Sequence, residues 1–448
     1  MTSQPFPAGF VWGTATSSYQ IEGAVNEDGR GRSIWDDFAH TPGKTKDGGT
    51  GDVAVDHYHR YPDDIALMKS LGVKAYRFST AWPRILPDGQ GRIEPRGLDF
   101  YSRLVDDLLT AGIEPYLTLY HWDLPSALQA HGGWANRDIA GQFADYAAIV
   151  TRALGDRVTN WITLNEPWCV AFLSHEIGEH APGLKDRAMA MRAAHHCNLA
   201  HGLGVQAIRA ATRRAADTRV GVTLNYSTVL PLTDSEADRR AANLVHQHDP
   251  FWSWFTKPIF TGAYGPVWPP LTPTDAPEIR PGDMASICQR LDFLGVNYYT
   301  PIRMKDRDGM PEYTRNPGAE YTLMDWEVEP EGLRRLLRDL KSVTGGHVPL
   351  YITENGASFV DAANESGQIH DPRRIAYLRG HLDACRQAIA EGVDLRGYFV
   401  WSLMDNFEWA HGYQQYFGVV HVDYATQKRT IKDSGYFFRD VIAANAIL

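Results

Sequence analysis

The chain has 448 residues, of which 44% are hydrophobic and 22% charged, with 40 Gly and 26 Pro. This composition is typical of a globular protein and excludes a collagen-like or wholly disordered chain. The formal net charge is -10 and no long basic run is present, so nucleic acid is not an expected partner. The apolar stretches are far shorter than the roughly 20 residues that a membrane-spanning helix needs, so no membrane partner is expected either.

The N-terminal segment and the cysteines bear on the cellular compartment. The first ten residues contain no basic n-region, no long apolar segment and no small-residue cleavage site, which predicts a cytoplasmic protein. The cysteines form no CxxC pair, which argues against a structural zinc and a disulfide framework. We expect all four to be reduced core residues; they are Cys169, Cys197, Cys288 and Cys385.

Short runs of apolar, β-branched and aromatic residues recur along the chain, each followed by a helix-like pattern. Eight runs predict strands at residues 10–16, 75–79, 114–120, 160–164, 220–225, 293–297, 350–353 and 397–402. Amphipathic segments predict helices at residues 62–70, 97–111, 137–154, 186–213, 332–342 and 373–390. Nearly all-apolar strands that alternate with helices favour a parallel sheet covered by helices, and eight such units predict a closed (β/α)₈ TIM barrel.

The length alone would allow one to three domains. No Gly/Ser-rich or Pro-rich linker divides the chain, so we predict a single α/β barrel domain over residues 1–448. Four connections exceed ordinary loop lengths and are expected to wall an active site. They span residues 26–56, 171–185, 247–283 and 301–331.

Two glutamates stand where predicted strands end. The fourth strand leads into Asn165-Glu166-Pro167 and the seventh into Glu354-Asn355-Gly356. Reactive groups of a parallel barrel lie at this C-terminal face, where a carboxylate is costly to desolvate unless it is paired or used. Glycoside hydrolysis requires two carboxyl groups, one to protonate the departing oxygen and one to attack the sugar or activate water. Either glutamate alone could be a salt-bridged rim residue, but together they predict a catalytic pair.

Other residue patterns are less informative. Arg77 ends the second predicted strand, where a guanidinium would keep a nearby carboxylate ionised or form a structural ion pair inside the barrel. Paired histidines occur near residues 57, 195 and 246, but no HExxH motif or carboxylate at ligand spacing accompanies them. The Gly-rich segment 48–51 lacks the Lys-Ser/Thr pair of a phosphate-binding loop. We therefore predict neither a metal nor a cofactor.

Seven motifs in chain order are similar to those of glycoside hydrolase family 1, the β-glucosidase family. The two glutamate motifs resemble its acid/base and nucleophile segments, and residues 10–23 resemble its N-terminal signature. The match spans nearly the whole chain and continues through Tyr76-Arg77-Phe78-Ser79, His121-Trp122-Asp123, Asn297-Tyr298-Tyr299 and Trp401-Ser402-Leu403-Met404-Asp405-Asn406-Phe407-Glu408-Trp409.

By this resemblance Glu166 is the general acid/base and Glu354 the nucleophile of a retaining, double-displacement mechanism. Arg77 would lie beside the nucleophile, and Tyr299 would donate a hydrogen bond to it. The substrate-binding residues implied are Gln20, His121, Asn165, Asn297, Tyr299, Trp401, Glu408 and Trp409. We expect the aglycone side of the site to involve Trp168, Asn225 and Trp326.

The expected substrate is a small β-glycoside. The resemblance implies a β-glucosidase acting on cellobiose, short cello-oligosaccharides or aryl β-glucosides, and hence a part in cellulose degradation. Glu408 disfavours a 6-phosphorylated sugar, because a carboxylate would face the phosphate, and Glu166 separates the chain from thioglucosidases, which carry Gln there. β-Galactosidase or β-fucosidase activity, a catalytically silent sugar-binding barrel and a metal-dependent barrel hydrolase remain as alternatives.

Overall fold

A computed structural model of the protein describes residues 5–448. Eight parallel strands close into a barrel in which each strand pairs with its neighbours in sequence and β8 pairs with β1. The strands are β1 Val11–Ala15, β2 Ala75–Ser79, β3 Glu114–Tyr120, β4 Asn160–Asn165, β5 Arg219–Tyr226, β6 Phe293–Tyr298, β7 Leu350–Asn355 and β8 Leu395–Trp401. The predicted (β/α)₈ TIM barrel is confirmed.

The strand ends differ from the prediction by a few residues, mostly at the catalytic face. Strand β4 continues through Asn165, which pairs with Thr223, and β7 continues past Glu354, which pairs with Asn297. Polar residues at these positions made the sequence pattern end too early. Backbone hydrogen bonds to the neighbouring strands carry the ladder further than the apolar run does.

Within the described residues, eight helices have 12 or more residues, and each follows the barrel strand of the same number. They are α1 His57–Ser70, α2 Pro95–Thr110, α3 Ile139–Leu154, α4 Arg187–Ala211, α5 Glu236–Gln247, α6 Pro330–Val343, α7 Pro372–Ala390 and α8 Asp433–Ala444. Helix α1 begins five residues before the predicted start. In its first turn His57 is buried and bonds to Asp64 at 2.8 Å, a polar contact that an apolar periodicity does not reveal.

Two layers of apolar side chains stabilise the barrel. One layer lies between the strands and the surrounding helices, where α6, for example, buries Leu333, Leu336, Leu337 and Leu340 at helical spacing. The other fills the interior of the barrel, where Tyr116, Phe293, Tyr351 and Phe399 contact one another. Such side chains make the interior of a TIM barrel a packed core, and active sites of this fold lie at the C-terminal ends of its strands.

The connections carry further short elements. Strands Val229–Pro231, Ile302–Arg307 and Met310–Tyr313 form a side sheet against α5, and Val420–Asp423 pairs with Lys428–Ile431. Helical turns are Ser18–Ile21, Ile34–Ala39, Trp82–Ile85, Ser126–Gln129, Gly133–Ala135, Cys169–Ile177, Phe251–Thr256, Lys257–Thr261, Asp283–Ile287 and Trp409–His411. No helix among the described residues is long and apolar enough to cross a membrane. Cytoplasmic residence stays a prediction from the sequence.

Three of the four cysteines are buried and all are free thiols. Cys288 is exposed, so its prediction as a core residue was wrong. It follows a short helix in the long connection after β5, where the apolar sequence neighbours do not bring it into the barrel core. The single-domain prediction over residues 1–448 includes residues 1–4, which lie outside the described part of the chain, and it stays a prediction.

A buried ion cluster joins the connections that follow β7 and β8. Lys432 Nζ lies 2.6 Å from Asp361 Oδ2 and 2.8 Å from Asp405 Oδ1, and all three side chains are almost fully buried. Arg374 pairs with Asp361 on the other side, at 2.8 Å. Asp405 lies only three residues before Glu408, which lines a cavity at the C-terminal ends of the strands, so the cluster stabilises a wall of that cavity.

Candidate active site

A cavity of about 580 Å³ opens at the C-terminal ends of the strands. Glu166 and Glu354 both line it, although they come from opposite halves of the sequence. Each of the four long connections contributes to its wall, through Lys46, Leu173, Phe251 and Trp326 respectively. The expectation that these connections wall the site is therefore confirmed.

The backbone turns sharply where β4 ends. Glu166 has a φ of 47°, in the left-handed region that non-glycine residues seldom adopt, and its N–H donates to the carbonyl of Thr223 at 2.9 Å. The π-helix Cys169–Ile177 begins three residues later. Such strained backbone is concentrated at functional sites. Here it directs the Glu166 side chain into the cavity and places Cys169 beneath it.

Glu354 is held by two donors, one on each carboxylate oxygen. The Arg77 guanidinium bonds to Oε1 at 2.5 Å, and the Tyr299 hydroxyl donates to Oε2 at 2.6 Å. Burial raises the pKa of Tyr299, so its hydroxyl stays protonated. The loop beyond Glu354 passes so close to β8 that a Cβ on Gly356 would overlap the Trp401 carbonyl. Each oxygen of the Glu354 carboxyl group therefore accepts a short hydrogen bond, one of them from a cation.

Glu166 has no cationic partner among the described residues. The Asn297 amide donates to its Oε1 at 2.6 Å, and the Cys169 thiol lies 3.1 Å from its Oε2. Burial, and to a smaller extent the nearby Glu354 charge, raise the pKa of Glu166 well above its usual range. The two carboxyl groups therefore occupy contrasting environments, because Glu354 has a cationic partner and Glu166, whose pKa is raised, has an amide and a thiol.

Three of the predicted sugar-binding residues lie behind the cavity wall. Gln20, Asn165 and Asn297 are fully buried and bond to other residues. The Gln20 amide donates to Asn406 Oδ1 at 3.0 Å and approaches Glu408 Oε2 at 3.4 Å. These three amides support residues that line the cavity, while their predicted contacts with sugar stay predictions.

His121 and three tryptophans form one face of the cavity. The His121 ring stacks between Trp401 and Trp409, with ring centres 5.8 and 5.9 Å away. Trp122 packs on Trp409 at 4.6 Å. Burial, with a smaller contribution from Arg77, lowers the pKa of His121, so the imidazole is neutral. Aromatic faces beside one neutral imidazole suit a sugar ring, which presents C–H groups and hydroxyls together.

Glu408 is a third carboxyl group lining the same cavity. Burial raises its pKa to about 8, and the Glu354 and Glu166 charges add to this effect. It is therefore largely protonated at neutral pH and able to donate a hydrogen bond as well as accept one.

The three residues predicted for the aglycone side are half-buried. Trp168 packs against Phe251 at 4.7 Å, and Trp326 packs against Tyr299 at 5.1 Å. The Asn225 amide lies 3.6 Å from the Cys169 sulfur. All three predicted aglycone residues line the cavity.

Several cavity residues were not found from the sequence. Cys169 was predicted to be an ordinary core residue, yet its thiol contacts Glu166. The others lie in connections whose course follows from tertiary packing, and no motif marks them; they include Lys46, Leu173, His180, Phe251, Ile302, Met324 and His411. The spacing of Cys169 three residues after Glu166 was the one available signal, because a tight turn brings such residues together.

The paired histidines that invited a metal interpretation are engaged elsewhere. His57 bonds to Asp64, His195 to Asp283, and His196 to the Trp134 carbonyl. No group of three or more His, Cys, Asp or Glu side chains within residues 5–448 could hold a metal ion.

Two carboxyl groups in contrasting environments at the mouth of a parallel barrel are the arrangement that barrel glycosidases require. The model of the family described as glycosyl hydrolase family 1 matches residues 2–447. The chain belongs to this family, and the resemblance inferred from the seven motifs is confirmed.

Named relatives are similar in sequence to this chain over nearly its whole length. The chain is 47% identical to β-glucosidase A of Thermotoga maritima, covering 100% of both chains, and 49% identical to thermostable β-glucosidase B of Thermobispora bispora, covering 99% of this chain and 91% of that one. It is also 46% identical to a bifunctional β-D-glucosidase/β-D-fucosidase of Bifidobacterium breve, covering 98% of both. A solved Thermotoga maritima β-glucosidase in complex with glucoimidazole superposes with a TM-score of 0.93 at 48% identity, covering 99% of this chain and 100% of that one.

Proposed function

We propose that this protein is a retaining β-glucosidase in which Glu354 is the nucleophile and Glu166 the general acid/base. The contrast between the two carboxyl groups carries the proposal. Glu354 bonds to a guanidinium and a phenol, whereas Glu166 bonds to an amide and a thiol. The first environment keeps a carboxylate ready to attack, and the second keeps a carboxylic acid ready to donate its proton.

In the first half-reaction Glu354 attacks the anomeric carbon from the α face. The bond from that carbon to the glycosidic oxygen breaks, and the proton of Glu166 passes to the departing oxygen. A covalent α-glucosyl ester on Glu354 and a free aglycone alcohol result. The Arg77 and Tyr299 donors then bond to an ester, which is neutral.

In the second half-reaction Glu166 acts as a base. Esterification removes the Glu354 charge that helped to raise the pKa of Glu166, so the carboxylate form becomes favoured. It takes a proton from water as the water oxygen attacks the anomeric carbon. The ester bond breaks, β-glucose leaves, and both carboxyl groups return to their starting states.

The glycone side favours an unphosphorylated sugar. Trp401 offers an aromatic face, and His121, Glu408 and Trp409 offer polar groups at its edge. A phosphate at the sugar 6-position would meet the Glu408 carboxyl group, whose ionised form would repel it. Glucose is the glycone that the relatives' names favour, with fucose and galactose as the alternatives to be ranked by assay.

The aglycone side is apolar and aromatic. We assign to this side five residues that line the cavity, namely Trp168, Leu173, Phe251, Met324 and Trp326. Such a surface suits aryl leaving groups and the C–H face of a second glucose unit, as in cellobiose.

Replacing Glu354 tests the nucleophile. Glu354→Ala should abolish hydrolysis of 4-nitrophenyl β-glucoside while circular dichroism stays unchanged. Azide should restore turnover and yield α-glucosyl azide, because the small anion attacks from the face that Glu354 has vacated. As a matched control, Glu94→Ala removes a buried carboxyl group at the start of α2 and should retain activity. Substantial residual activity in Glu354→Ala would refute its assigned role.

Replacing Glu166 tests the acid. Glu166→Ala should reduce kcat/KM about 10²- to 10⁴-fold for alkyl glucosides, whose alkoxide leaves poorly without a proton. The loss should be far smaller for 2,4-dinitrophenyl glucoside, whose phenolate needs no proton. Equal losses on both substrates would contradict an acid role for Glu166.

A kcat/KM panel tests the substrate class. It should compare nitrophenyl β-glucoside, β-galactoside and β-fucoside with cellobiose and a 6-phosphoglucoside. We expect the glucoside to exceed the galactoside and the 6-phosphoglucoside to be rejected. Exhaustive chelation should leave activity unchanged, and a loss on chelation would favour the metal-dependent alternative.

A further inference from the structure

We infer that the proton delivered by Glu166 is carried on Oε2, and that Asn297 is the positioning residue that assigns it there. The inference rests on the proposed role of Glu166 as the general acid. It follows from a series of hydrogen bonds in which the orientation of each side-chain amide is set by the preceding residue in the series. That series starts at Arg77, which also holds the nucleophile.

Arg77 fixes the orientation of the Asn165 side chain. Its guanidinium carries only donors, and Nη2 lies 2.6 Å from Asn165 Oδ1. The Asn165 atom facing Arg77 must therefore be oxygen. The opposite end of the amide is then the NH₂ group, which lies 3.0 Å from His121 Nε2. A neutral imidazole can accept there, in agreement with the lowered pKa of His121.

Asn165 in turn fixes Asn297. The Asn297 atom that approaches Asn165 Oδ1 at 3.1 Å must be a donor, so it is the amide nitrogen. The Thr353 hydroxyl donates to the other end of the same amide, Oδ1, at 2.8 Å. A flipped Asn297 amide would place its oxygen against Asn165 Oδ1, whereas the Thr353 hydroxyl can donate or accept and so fits the orientation that Asn165 sets.

The second N–H of Asn297 is then directed at Glu166 Oε1, at 2.6 Å. A carbonyl oxygen accepts such a hydrogen bond better than the hydroxyl oxygen of a carboxylic acid does. Oε1 is accordingly the carbonyl oxygen of protonated Glu166, and Oε2 is the hydroxyl oxygen. On glycosylation the Oε2–H bond breaks, its electron pair stays on Glu166, and the proton joins the glycosidic oxygen.

The position of Oε2 agrees with this assignment. Its neighbour at 3.1 Å is the thiol of Cys169, which lines the cavity, whereas Asn297 lies fully buried behind the wall. The oxygen on the Cys169 side is therefore the one nearer to the substrate. A thiol is a weak donor and a weak acceptor, so it can face Oε2 in both the protonated and the ionised state of Glu166.

This role differs from the sugar contact expected for Asn297 from the sequence. Both of its N–H groups are used, one by Asn165 and one by Glu166, and its oxygen accepts from Thr353. Its loss should consequently change proton transfer and leave sugar binding nearly unchanged.

Infrared difference spectroscopy of the whole protein reads the proton position directly. Spectra taken below and above the titration of Glu166 contain the C=O stretch of its acid form, which subtraction of the Glu166→Gln spectrum identifies. A hydrogen bond to a carbonyl oxygen lowers this frequency. We therefore expect Asn297→Ala to raise the frequency and Cys169→Ala to leave it in place.

Two results of the infrared experiment would overturn the inference. If Asn297→Ala leaves the band in place, or if Cys169→Ala raises it as much, the proton is not assigned to Oε2 by Asn297 and the inference is overturned. Should Asn297→Ala fail to fold, Thr353→Val removes the donor that orients the Asn297 amide and should raise the frequency in the same direction.

Kinetics give a second, independent measurement. Asn297→Ala should reduce kcat for an alkyl glucoside roughly tenfold to a hundredfold, the range for a lost hydrogen bond to an acidic group, with KM little changed. Activity on 2,4-dinitrophenyl glucoside should change far less. Asn160→Ala is the matched control, because Asn160 is a buried, hydrogen-bonded asparagine at the opposite end of β4. A rise in KM as the main effect would overturn the inference.

Failure here is distinguishable from failure of the proposed function. The infrared band reports where the proton resides whether or not turnover occurs. The leaving-group dependence of Glu166→Ala reports whether Glu166 is the acid at all.

Discussion

The charge of Glu354 should hold the proton on Glu166, and Glu354→Gln isolates this effect. The substitution keeps the size and shape of the side chain and removes one negative charge. Glu354 is the largest contributor after burial to the raised pKa of Glu166. We expect Glu354→Gln to lower the pKa of Glu166, because the anion formed on losing the proton no longer meets a second anion.

The magnitude follows from Coulomb's law. Two unit charges about 5 Å apart, the separation typical of retaining glycosidases, interact by about 3 kcal/mol at an effective dielectric constant of about 20. This energy corresponds to a roughly hundredfold increase in the acid dissociation constant of Glu166. The unpaired Arg77 guanidinium acts in the same direction, because its charge also lowers the pKa of Glu166.

The assay is a ¹³C NMR titration of protein labelled at the glutamate side-chain carboxyl carbons. Glu166→Gln assigns the resonance by its disappearance. The control, Glu114→Gln, removes a carboxyl group at the start of β3, at the far end of the barrel, and should leave the titration unchanged. An unchanged or raised pKa of Glu166 in Glu354→Gln would refute the reasoning that the two carboxyl groups hold each other in opposite protonation states.

Three further predictions concern pH and stability. Because Glu166 must be protonated for the first half-reaction, kcat/KM should fall as pH rises through its raised pKa, measured as the basic limb of the pH profile. Burial raises the pKa of Asp249 to about 7, so the folded state binds its proton more tightly than the unfolded state does, and the wild type loses stability as pH rises from about 4 to about 7. Asp249→Asn should remove this slope and gain up to about 4 kcal/mol relative to the wild type across that interval, measured by urea unfolding. Lys432→Met should cost about 3 kcal/mol, because Asp361 and Asp405 lose a buried cation.

Controls separate these effects from general damage. A basic limb that persists in Glu166→Gln would show that another group titrates. A difference between Asp249→Asn and the wild type that is the same at pH 4 and pH 8 would contradict the assigned titration. Arg396→Met breaks an exposed pair with Asp394 and should cost less than about 1 kcal/mol, and a cost equal to that of Lys432→Met would contradict the importance of burial.

The sequence predicted the barrel because the information that specifies it is local. A buried parallel strand must be apolar along most of its length, and a covering helix must be apolar along one face, so both periods can be recognised in the chain. The predicted second and third strands have the observed ends, while the fourth and seventh are extended by hydrogen bonds at Asn165 and Glu354. Boundaries depend on neighbouring strands, which the local pattern does not contain.

The meeting of Glu166 and Glu354 in one cavity could be predicted for the same reason. Glu166 and Glu354 each follow a strand, and all strands of a barrel end at one face, so topology alone places both at the mouth. The side chains that surround each glutamate, by contrast, come from other parts of the chain and do not follow from the strand pattern. The partners Arg77 and Tyr299 come from β2 and the end of β6, and the Cys169 thiol is carried by a π-helix.

By itself, then, the sequence determined the fold class, the family motifs and the two carboxyl groups that we propose as the catalytic pair. Only the tertiary structure decided that Asn297 and Cys169 contact Glu166, that Cys288 is exposed, and which loop residues line the cavity. The physical reason is that the two kinds of information depend on different neighbours of a residue. Periodicity and strand ends are set by neighbours along the chain, whereas a hydrogen bond or an electrostatic shift depends on atoms within a few ångströms in space, and those come from residues up to hundreds of positions apart.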